Sequence, residues 1–268
     1  MTAAYDASFL GQEVVVPAPQ ESIADDLVVV DGSSRIDYAH YSLAMSRSRR
    51  LARWVAWNID GLALFPGDSI PRDDQEFKLD PRLRPEDQTG ESVYTDNDLD
   101  RGHLARRADL LWGTLADAQQ ANADSFFFTN ITPQMNNFNQ SMRHGLWGLL
   151  ENAILEQTSL EKRRVSVFAG PILTDDDVPY RGTLVPKAFW KVLVYVLDAE
   201  LRASAFVLQQ KVDPGPTIDL RQFAPYQVDL LDLEDRTQLT HPALEDLPTA
   251  TRRRPGGTLL ESLADVDW

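Results

Sequence analysis

The sequence predicts one α+β domain, in which a mixed or antiparallel sheet is flanked by helices, and three observations predict it. Segments rich in Val, Phe and Trp recur between turn-rich stretches and have the composition of strands; they are residues 54–59, 165–169, 189–197 and 204–208. Apolar residues from Gly145 to Leu160 recur at the spacing of one helix face, which predicts an amphipathic helix. Neither an internal repeat nor a clean linker interrupts the sequence, so a single domain is the simplest account.

The remaining segments divide the chain into three parts. Residues 1–35 predict an irregular arm with one strand-like run, Leu27–Val30. Residues 66–98 are rich in Pro, Asp and Gly and predict a long loop, of a length that is usually functional or mobile. Further predicted elements are helices at 114–123 and 229–237, a short strand at 125–129 and a mobile tail at 252–257. The predicted parts are an N-terminal arm (1–35), a main domain (36–250) and a C-terminal tail (251–268).

The charge balance is strongly acidic. The 268 residues include 26 Lys and Arg against 41 Asp and Glu, which gives a formal net charge of -15. This balance argues against a protein that wraps nucleic acid indiscriminately, because phosphate binding depends on basic side chains. A catalytic cleft needs only a local positive field, however. Basic residues do cluster in three places: Arg47, Arg49, Arg50 and Arg53; Arg101, Arg106 and Arg107; and Lys162, Arg163 and Arg164. Each cluster could supply such a field or could be a solvated helix face or turn.

The composition argues against cysteine chemistry, a classical export signal and a membrane span. The sequence has no cysteine, which excludes disulfides, thiolate zinc sites and thiol nucleophiles. The first residues lack the basic and apolar regions of an export signal, and no stretch approaches the ~18 apolar residues of a membrane span. We therefore expect a cytoplasmic protein with no membrane partner, while non-classical export stays open.

The run Asp100-Arg101-Gly102-His103 is the first candidate for chemistry. Histidine suits a general base near neutral pH, and the planar guanidinium of arginine suits a phosphate. Glycine lets the backbone approach a ligand or a neighbouring segment closely. Taken alone, a lone histidine of this kind is more commonly a turn residue that is satisfied by a neighbouring aspartate.

A second candidate lies downstream, where amide side chains crowd into residues 130–140 ahead of the predicted helix. They are Asn130, Gln134, Asn136, Asn137, Asn139 and Gln140. Asparagine is common in caps and turns, which is the structural explanation. Amide oxygens also suit hard cations such as Mg²⁺, which keep most of their waters and need few protein ligands.

Together these segments resemble the DNA/RNA non-specific endonuclease family, which includes endonuclease G. The matching residues, in family order, are Asp100-Arg101-Gly102-His103, Asn130-Ile-Thr-Pro-Gln134, Asn139-Gln140, Trp147 and Glu151. Weaker likenesses extend from about residue 38 to 241, among them Arg72 in the long loop and the segment Val185–Lys191. The ordered set is far more specific than either segment alone.

The resemblance implies a ββα-metal (His-Me finger) motif and a metal-dependent endonuclease that hydrolyses DNA and RNA to 5′-phosphate and 3′-hydroxyl ends. His103, on a strand, would be the general base, and Asn139, at the start of the helix, would bind Mg²⁺ or Mn²⁺. Arg72 and Arg101 would steady the phosphate, with Gln140 also in contact with substrate. Glu151 would orient the waters of the metal.

The sequence departs from the family pattern beside this site. Seven residues separate Asn139 from Trp147, where the family has three, so residues 141–144 form a four-residue insertion. Glu151 keeps its place if the insertion loops out, and moves by ~6 Å if the helix lengthens. Relatives often carry an arginine four residues after this glutamate, where this chain has Leu155. Arg143 is the alternative that would complete the site.

Other assignments stay open from the sequence. One is a phosphodiesterase of the same fold with a narrower substrate, and another is a catalytically silent binding module. Homodimerisation, which is common in the family, and a regulatory partner that relieves the acidic surface are further hypotheses. The other histidines are His40, His144 and His241; we expect surface structure for His144, and no histidine pair has zinc-ligand spacing.

Overall fold

The computed structural model describes residues 3–72, 74–143, 145–160, 163–212, 225–244, 247 and 258–259. The strands in these ranges are β1 (Ala18–Pro19), β2 (Ile36–Tyr38), β3 (Tyr41–Ser46), β4 (Leu51–Asp60), β5 (Leu99–His103), β6 (Ile131–Met135), β7 (Arg164–Ile172), β8 (Val178–Tyr180), β9 (Thr183–Val185), β10 (Ala188–Leu197), β11 (Glu200–Gln209), β12 (Pro225–Val228), β13 (Leu239–Thr240) and β14 (Thr258–Leu259).

The α-helices are α1 (Glu21–Ala24), α2 (Leu115–Asp124), α3 (Asn136–Asn139), α4 (Leu146–Leu160) and α5 (Leu230–Thr237). Short 3₁₀ turns lie at Pro85–Asp87, Glu91–Val93, Arg107–Leu110, Phe128–Asn130 and Ser141–Arg143. Two helices begin at a side-chain cap: Thr114 accepts from the backbone of α2, and Asp229 from that of α5. Within the described ranges, no helix combines the length and the apolarity that crossing a membrane requires.

The main sheet has eight strands among the described residues, in the order β14-β12-β11-β10-β7-β4-β3-β2, and neighbours pair antiparallel throughout. The predicted α+β class with a mixed or antiparallel sheet is confirmed. At one end of the sheet Ala188 pairs with both Ile172 and Gln209. At the other end Tyr195 pairs with Val165 and Arg202. We refer to these as the Gln209 end and the Arg202 end.

Both faces of this sheet are covered. On one face, Trp57 and Phe189 of the sheet pack with Leu150 and Ile154 of α4. On the other face, apolar residues of the N-terminal segment and of α5 complete a second cluster, which includes Tyr5, Ile23, Trp54, Phe168 and Leu233. Burial on two sides explains why β7 and β10 read as continuous apolar runs instead of alternating ones.

A separate two-stranded sheet packs against α3. Strand β5 pairs antiparallel with β6, with Leu99 opposite Met135 and His103 opposite Ile131. Helix α3 begins at Asn136, directly after β6 ends. The Gln210 side chain fixes this unit to the Gln209 end of the main sheet, because its Oε1 accepts from the Met135 backbone at 2.8 Å.

Two strand predictions are wrong. Leu27–Val30 forms isolated bridges from Leu27 to Ser46 and from Val30 to Ser33. Residues 125–129 leave α2 and enter the 3₁₀ turn Phe128–Asn130, so the strand begins only at Ile131. The reason is that the buried Asn130 amide binds backbone atoms of Ala105 and Ser125, which curls this segment.

The three-part division of the chain stays a prediction. Residues of the predicted arm pack on the sheet, where Tyr5 lies 5.5 Å from Phe168 between ring centroids. In the predicted tail (251–268), the structure describes only Thr258–Leu259, which pair with β12. The expected mobility at 252–257 lies outside the described residues.

The close approach of α3 and α4 predicts the effect of a substitution at Gly148. A Cβ atom there would collide with the backbone oxygen of Asn139 and lie 2.7 Å from the backbone nitrogen of Ser141. Gly148→Ala should therefore lower the free energy of unfolding by about 1–3 kcal/mol, although alanine has the higher helix propensity. Urea unfolding measures the change. Gly67→Ala is the control, since no atom lies within 4 Å of its Cβ position; equal stability of both variants would refute the packing argument.

Candidate active site

The elements around His103 form a ββα unit. Strand β5 ends on His103, β6 pairs with it, and α3 and α4 follow. Asn139 is the last residue of the short helix α3, so the expectation that it opens the long helix is wrong. Residues Ser141–Arg143 of the insertion form their own 3₁₀ turn before α4 begins at Leu146. The insertion therefore loops out and does not lengthen the helix.

Asp100 joins the two halves of this unit. Its carboxylate accepts a hydrogen bond from Asn139 Nδ2 at 2.9 Å, and from Gln140 Nε2 at 3.1 and 2.8 Å. An ionised carboxylate can only accept, so both amides must turn their NH₂ groups toward Asp100. The amide oxygen of Asn139 then points away from Asp100 and is available as a ligand. The sequence contained this residue within the motif, but no role followed from spacing alone.

The donor set fits a hard cation that keeps its waters. Asn139 and Gln140 are half-buried and present amide oxygens, which Mg²⁺ and Mn²⁺ accept. In the described part of the chain, no group of three or more His, Asp and Glu side chains could hold a metal ion. A cation here would therefore be held through Asn139 and water molecules, and not in an all-protein cage.

The imidazole of His103 lies against aromatic rings. Its ring centroid is 5.7 Å from that of Phe77 and 5.7 Å from that of Phe126. Its Nε2 atom is buried and has no hydrogen-bond partner among the described residues. Because buried polar atoms in native proteins are nearly always paired, an unpaired nitrogen at this place is available to accept a proton from a bound water.

Burial lowers the pKa of His103 to about 3, because the charged imidazolium is poorly solvated there. Three guanidinium groups shift this pKa in the same direction: those of Arg72, Arg107 and Arg106. The base is thus neutral, as proton abstraction requires. The same arginines create the local positive field that a chain of net charge -15 needs at a phosphate site.

Arg106 and Arg107 are site residues to which the sequence assigned no role. Arg107 is held by Asn122, by the Ile70 backbone oxygen and by that of Gly67 at 3.0 Å. Arg106 donates to Asn152 on α4 at 2.7 Å. Their presence in one basic cluster with Arg101 was the only signal in the sequence, and three-dimensional placement was needed to interpret it.

The two predicted phosphate ligands differ in their surroundings. The exposed Arg72 has its guanidinium carbon 5.9 Å from the centroid of the Phe126 ring, and this guanidinium bonds to no other described residue. Arg101 forms a two-pronged ion pair with Glu91, of which one hydrogen bond, from Nε to Oε2, measures 2.9 Å. A phosphate that binds Arg101 would therefore compete with this carboxylate.

Glu151 lies on α4 in a buried ion pair. Its Oε1 is 3.2 Å from Lys191 Nζ, and its Oε2 is 3.9 Å from Arg106 Nε. Lys191 is fully buried on β10, with Nζ 4.1 Å from the centroid of the Trp147 ring. This lysine was part of the recognised segment Val185–Lys191, and its charge within an apolar strand was the signal that could have identified it.

Two predictions concern the insertion residues Arg143 and His144. His144 and the side chain of Arg143 lie outside what the structure describes. Both earlier hypotheses, that Arg143 substitutes for the missing arginine and that His144 is surface structure, stay predictions. Leu155 is half-buried on α4.

The low pKa of His103 predicts a neutral imidazole in the folded protein at every pH above roughly 5. Between the ordinary pKa of 6.5 and about 3, only the unfolded chain takes up this proton. The free energy of unfolding therefore decreases as the pH falls from 6.5 to about 3, because protonation of this histidine favours the unfolded chain. An NMR titration measures the pKa, and Arg72→Gln should raise it because one neighbouring positive charge is removed. A wild-type midpoint near 6.5 would contradict the burial of this ring.

Comparison with known proteins is consistent with this geometry. A model of the DNA/RNA non-specific endonuclease family matches residues 20–246. Uncharacterized protein y4fB of Sinorhizobium fredii is 36% identical over 204 residues, which cover 73% of this chain and 29% of that protein. Nuclease C1 of Cunninghamella echinulata var. echinulata is 30% identical over 216 residues, which cover 75% of this chain and 79% of that nuclease.

A solved structure shares the fold. The crystal structure of the EndoG/EndoGI complex aligns with a TM-score of 0.61 and 24% identity, over 77% of this chain and 84% of that one. The chain spans less than a third of the y4fB protein but most of Nuclease C1. The family model covers most of the chain, and the similar proteins include a nuclease that is 30% identical. The chain therefore belongs to the DNA/RNA non-specific endonuclease family and is a hydrolase of nuclease type.

Proposed function

We propose that this protein is a Mg²⁺-dependent endonuclease, with Mn²⁺ as a substitute, that cleaves DNA and RNA within the strand and leaves 5′-phosphate and 3′-hydroxyl ends. One observation carries the proposal. The Asp100 carboxylate binds Asn139 and Gln140, and thereby fixes an available amide oxygen to the strand that ends on His103. A general base and a cation ligand therefore belong to one rigid unit, as phosphodiester hydrolysis requires.

His103 is the general base of the proposed reaction. The neutral imidazole takes a proton from water through Nε2, and the water oxygen attacks the phosphorus atom opposite the 3′ oxygen. The bond from phosphorus to the 3′ oxygen breaks, and the leaving oxygen takes a proton from solvent water to form the 3′-hydroxyl end. The Phe77 and Phe126 rings hold the imidazole in place and limit competing hydrogen bonds. A bound Mg²⁺ would supply stabilisation of negative charge on the phosphate and the leaving oxygen.

Substrate phosphate is held by arginines in this proposal. Arg72 is exposed, and its guanidinium forms no hydrogen bond or ion pair with another described residue, which suits direct contact with a phosphate. Arg101 binds Glu91 in the free protein, so a substrate phosphate takes the place of that carboxylate. Gln140, oriented by Asp100, lies next to Asn139 and contributes its amide oxygen to water or substrate.

Glu151 orients water at the cation in this proposal, and Lys191 positions Glu151. The ion pair is buried, so the carboxylate cannot leave its partner without a large desolvation cost. The pairing also fixes α4 to the central strand β10.

The acidic surface favours a second candidate, a phosphodiesterase of the same fold that accepts a narrower set of substrates. The chain carries a net charge of -15, and Glu91 forms an ion pair with Arg101, which is predicted to bind the phosphate. Comparison of single-stranded DNA, duplex DNA, RNA and short oligonucleotides separates the two candidates. Similar turnover of all four supports the non-specific enzyme, whereas turnover of the short oligonucleotides alone supports the narrower one.

A homodimer and a regulatory partner stay predictions of the family resemblance and of the acidic surface. Light scattering across a concentration series tests the first. Activity as a function of ionic strength and oligomeric state tests the second, and an activity that depends on neither would remove the regulatory hypothesis.

Replacement of the base is expected to abolish cleavage. His103→Ala should lower the rate on plasmid DNA by at least about 10³-fold, because the variant lacks the imidazole that takes the proton from water. Circular dichroism should show an unchanged fold. His241→Ala is the matched control for loss of a buried histidine, since the His241 ring packs against Phe168 and Trp190 in the apolar cluster on the other face of the main sheet. Retained cleavage by His103→Ala would refute the assignment of His103 as the general base.

Neutralising Asp100 is expected to weaken the response to Mg²⁺. In Asp100→Asn the new amide can no longer force both neighbouring NH₂ groups to turn toward it, so Asn139 loses its fixed orientation. We expect a shift of the Mg²⁺ titration to higher concentration by about tenfold. Asp96→Asn removes the same charge from an exposed position nearby and should leave the titration unchanged. Coincident titrations of the two variants would remove Asp100 from the site.

A further inference from the structure

A basic cavity lies beside the active-site unit, at the Gln209 end of the main sheet. Its volume is about 390 Å³, and it lies between the β3–β4 turn and the β8–β9 hairpin. Three arginines contribute to its wall: Arg49 and Arg50 from the turn, and Arg181 from the hairpin, with Tyr180 and Thr183 beside them. Arg49 is ion-paired with Asp177, so the positive field at this cavity comes from the guanidinium groups of Arg50 and Arg181, in a chain that is otherwise strongly acidic.

The floor of the cavity contains buried polar atoms that lack a partner. The side chain of Arg49 is only 10% exposed, and it is held by Asp177 and by the backbone oxygen of Thr174 at 3.0 Å. Its Nε atom, and the hydroxyl oxygen of Thr183, are buried without a hydrogen-bond partner among the described residues. Unpaired buried donors in a basic cavity are what an anion would satisfy.

The rim arginines occupy backbone positions that disfavour them. Arg50 has φ 56° and Arg181 has φ 45°, in the left-handed region that glycine and asparagine adopt more easily. The local backbone therefore gives no reason for arginine at either position. Each guanidinium also keeps unused donors, because Arg50 contacts the Gly182 oxygen with one nitrogen, and Arg181 uses Nη1 for the oxygens of Ser92 and Thr95.

The cavity is physically connected to the strand of Arg101. Arg181 Nη1 donates to the Ser92 oxygen at 3.1 Å, and Asn97 Nδ2 donates to the Tyr180 hydroxyl at 3.2 Å. Ser92 belongs to the same 3₁₀ turn as Glu91, the partner of Arg101. In addition, Val185 of the hairpin packs in one apolar cluster with Leu99 and Ile131 of β5 and β6.

We propose that this cavity is a second phosphate-binding site, which holds a backbone phosphate of the nucleic-acid strand away from the scissile bond. The inference rests on the proposed function and extends it, because it names a further contact with the same substrate. Arg50 and Arg181 bind the phosphate oxygens from the rim, and Arg49 with Thr183 forms the fixed floor. The strand would run from the hairpin past the Glu91 turn to Arg101 and His103.

The experiment measures binding separately from cleavage. Fluorescence anisotropy records the binding of labelled single-stranded DNA to the His103→Ala protein, with Arg50→Asn and Arg181→Asn introduced together in that background. Asparagine tolerates the left-handed backbone, which offsets the loss of the hydrogen bonds that these arginines donate to the Gly182, Ser92 and Thr95 oxygens, so these variants should still fold. Thermal unfolding verifies this. The charge-matched control carries Arg202→Gln and Arg236→Gln, which lie at the Arg202 end of the sheet and on α5.

The variant with Arg50→Asn and Arg181→Asn, called the pocket variant, should bind DNA about fivefold to tenfold more weakly than the parent. The slope of log Kd against log salt concentration should decrease by about one to two. The control variant should match the parent in both quantities. Equal affinity and equal salt dependence of the pocket and control variants would overturn the second site, as would absence of DNA binding by the parent. Cleavage of plasmid DNA by the wild type is assayed in parallel, and its failure would count against the proposed function independently of the anisotropy result.

Discussion

One carboxylate fixes the geometry on which the rest of the site depends. Asp100 lies on the strand that ends at His103, and it binds the side chains of Asn139 and Gln140 at the end of α3. Because an ionised carboxylate only accepts hydrogen bonds, it decides which way both amides face. The glycine at position 148 lets α4 pack against the same short helix. Strand, short helix and long helix are thus held as one unit.

Charge is distributed unevenly in this protein, and that distribution reconciles an acidic chain with a phosphate substrate. Burial lowers the pKa of His103, and the charges of Arg72, Arg107 and Arg106 lower it further; the same charges attract an anion. Arg101, by contrast, is neutralised by its ion pair with Glu91. The net charge therefore describes the surface as a whole, while the chemistry depends on a few desolvated groups.

Much of the fold could be predicted from periodicity, because long apolar segments leave few alternatives. The helix α4 and the strands β4, β7, β10 and β11 all contain the predicted segments. Predictions failed where side-chain hydrogen bonds override local composition. The run of three phenylalanines before Thr129 has strand character, yet the buried Asn130 amide curls the chain there. Short elements of this kind are set by distant partners, which no local pattern contains.

By itself the sequence determined the family, the candidate base at His103 and the candidate ligand at Asn139, because their order along the chain is specific. Only the tertiary structure decided that the insertion loops out and that Asn139 closes a short helix instead of opening a long one. Folding also brought Lys191 to Glu151 and Arg49 to the β8–β9 hairpin, over long separations in sequence. The low pKa of His103 depends on burial and on the charges of arginines that are close in space, so it appears only when the chain is folded.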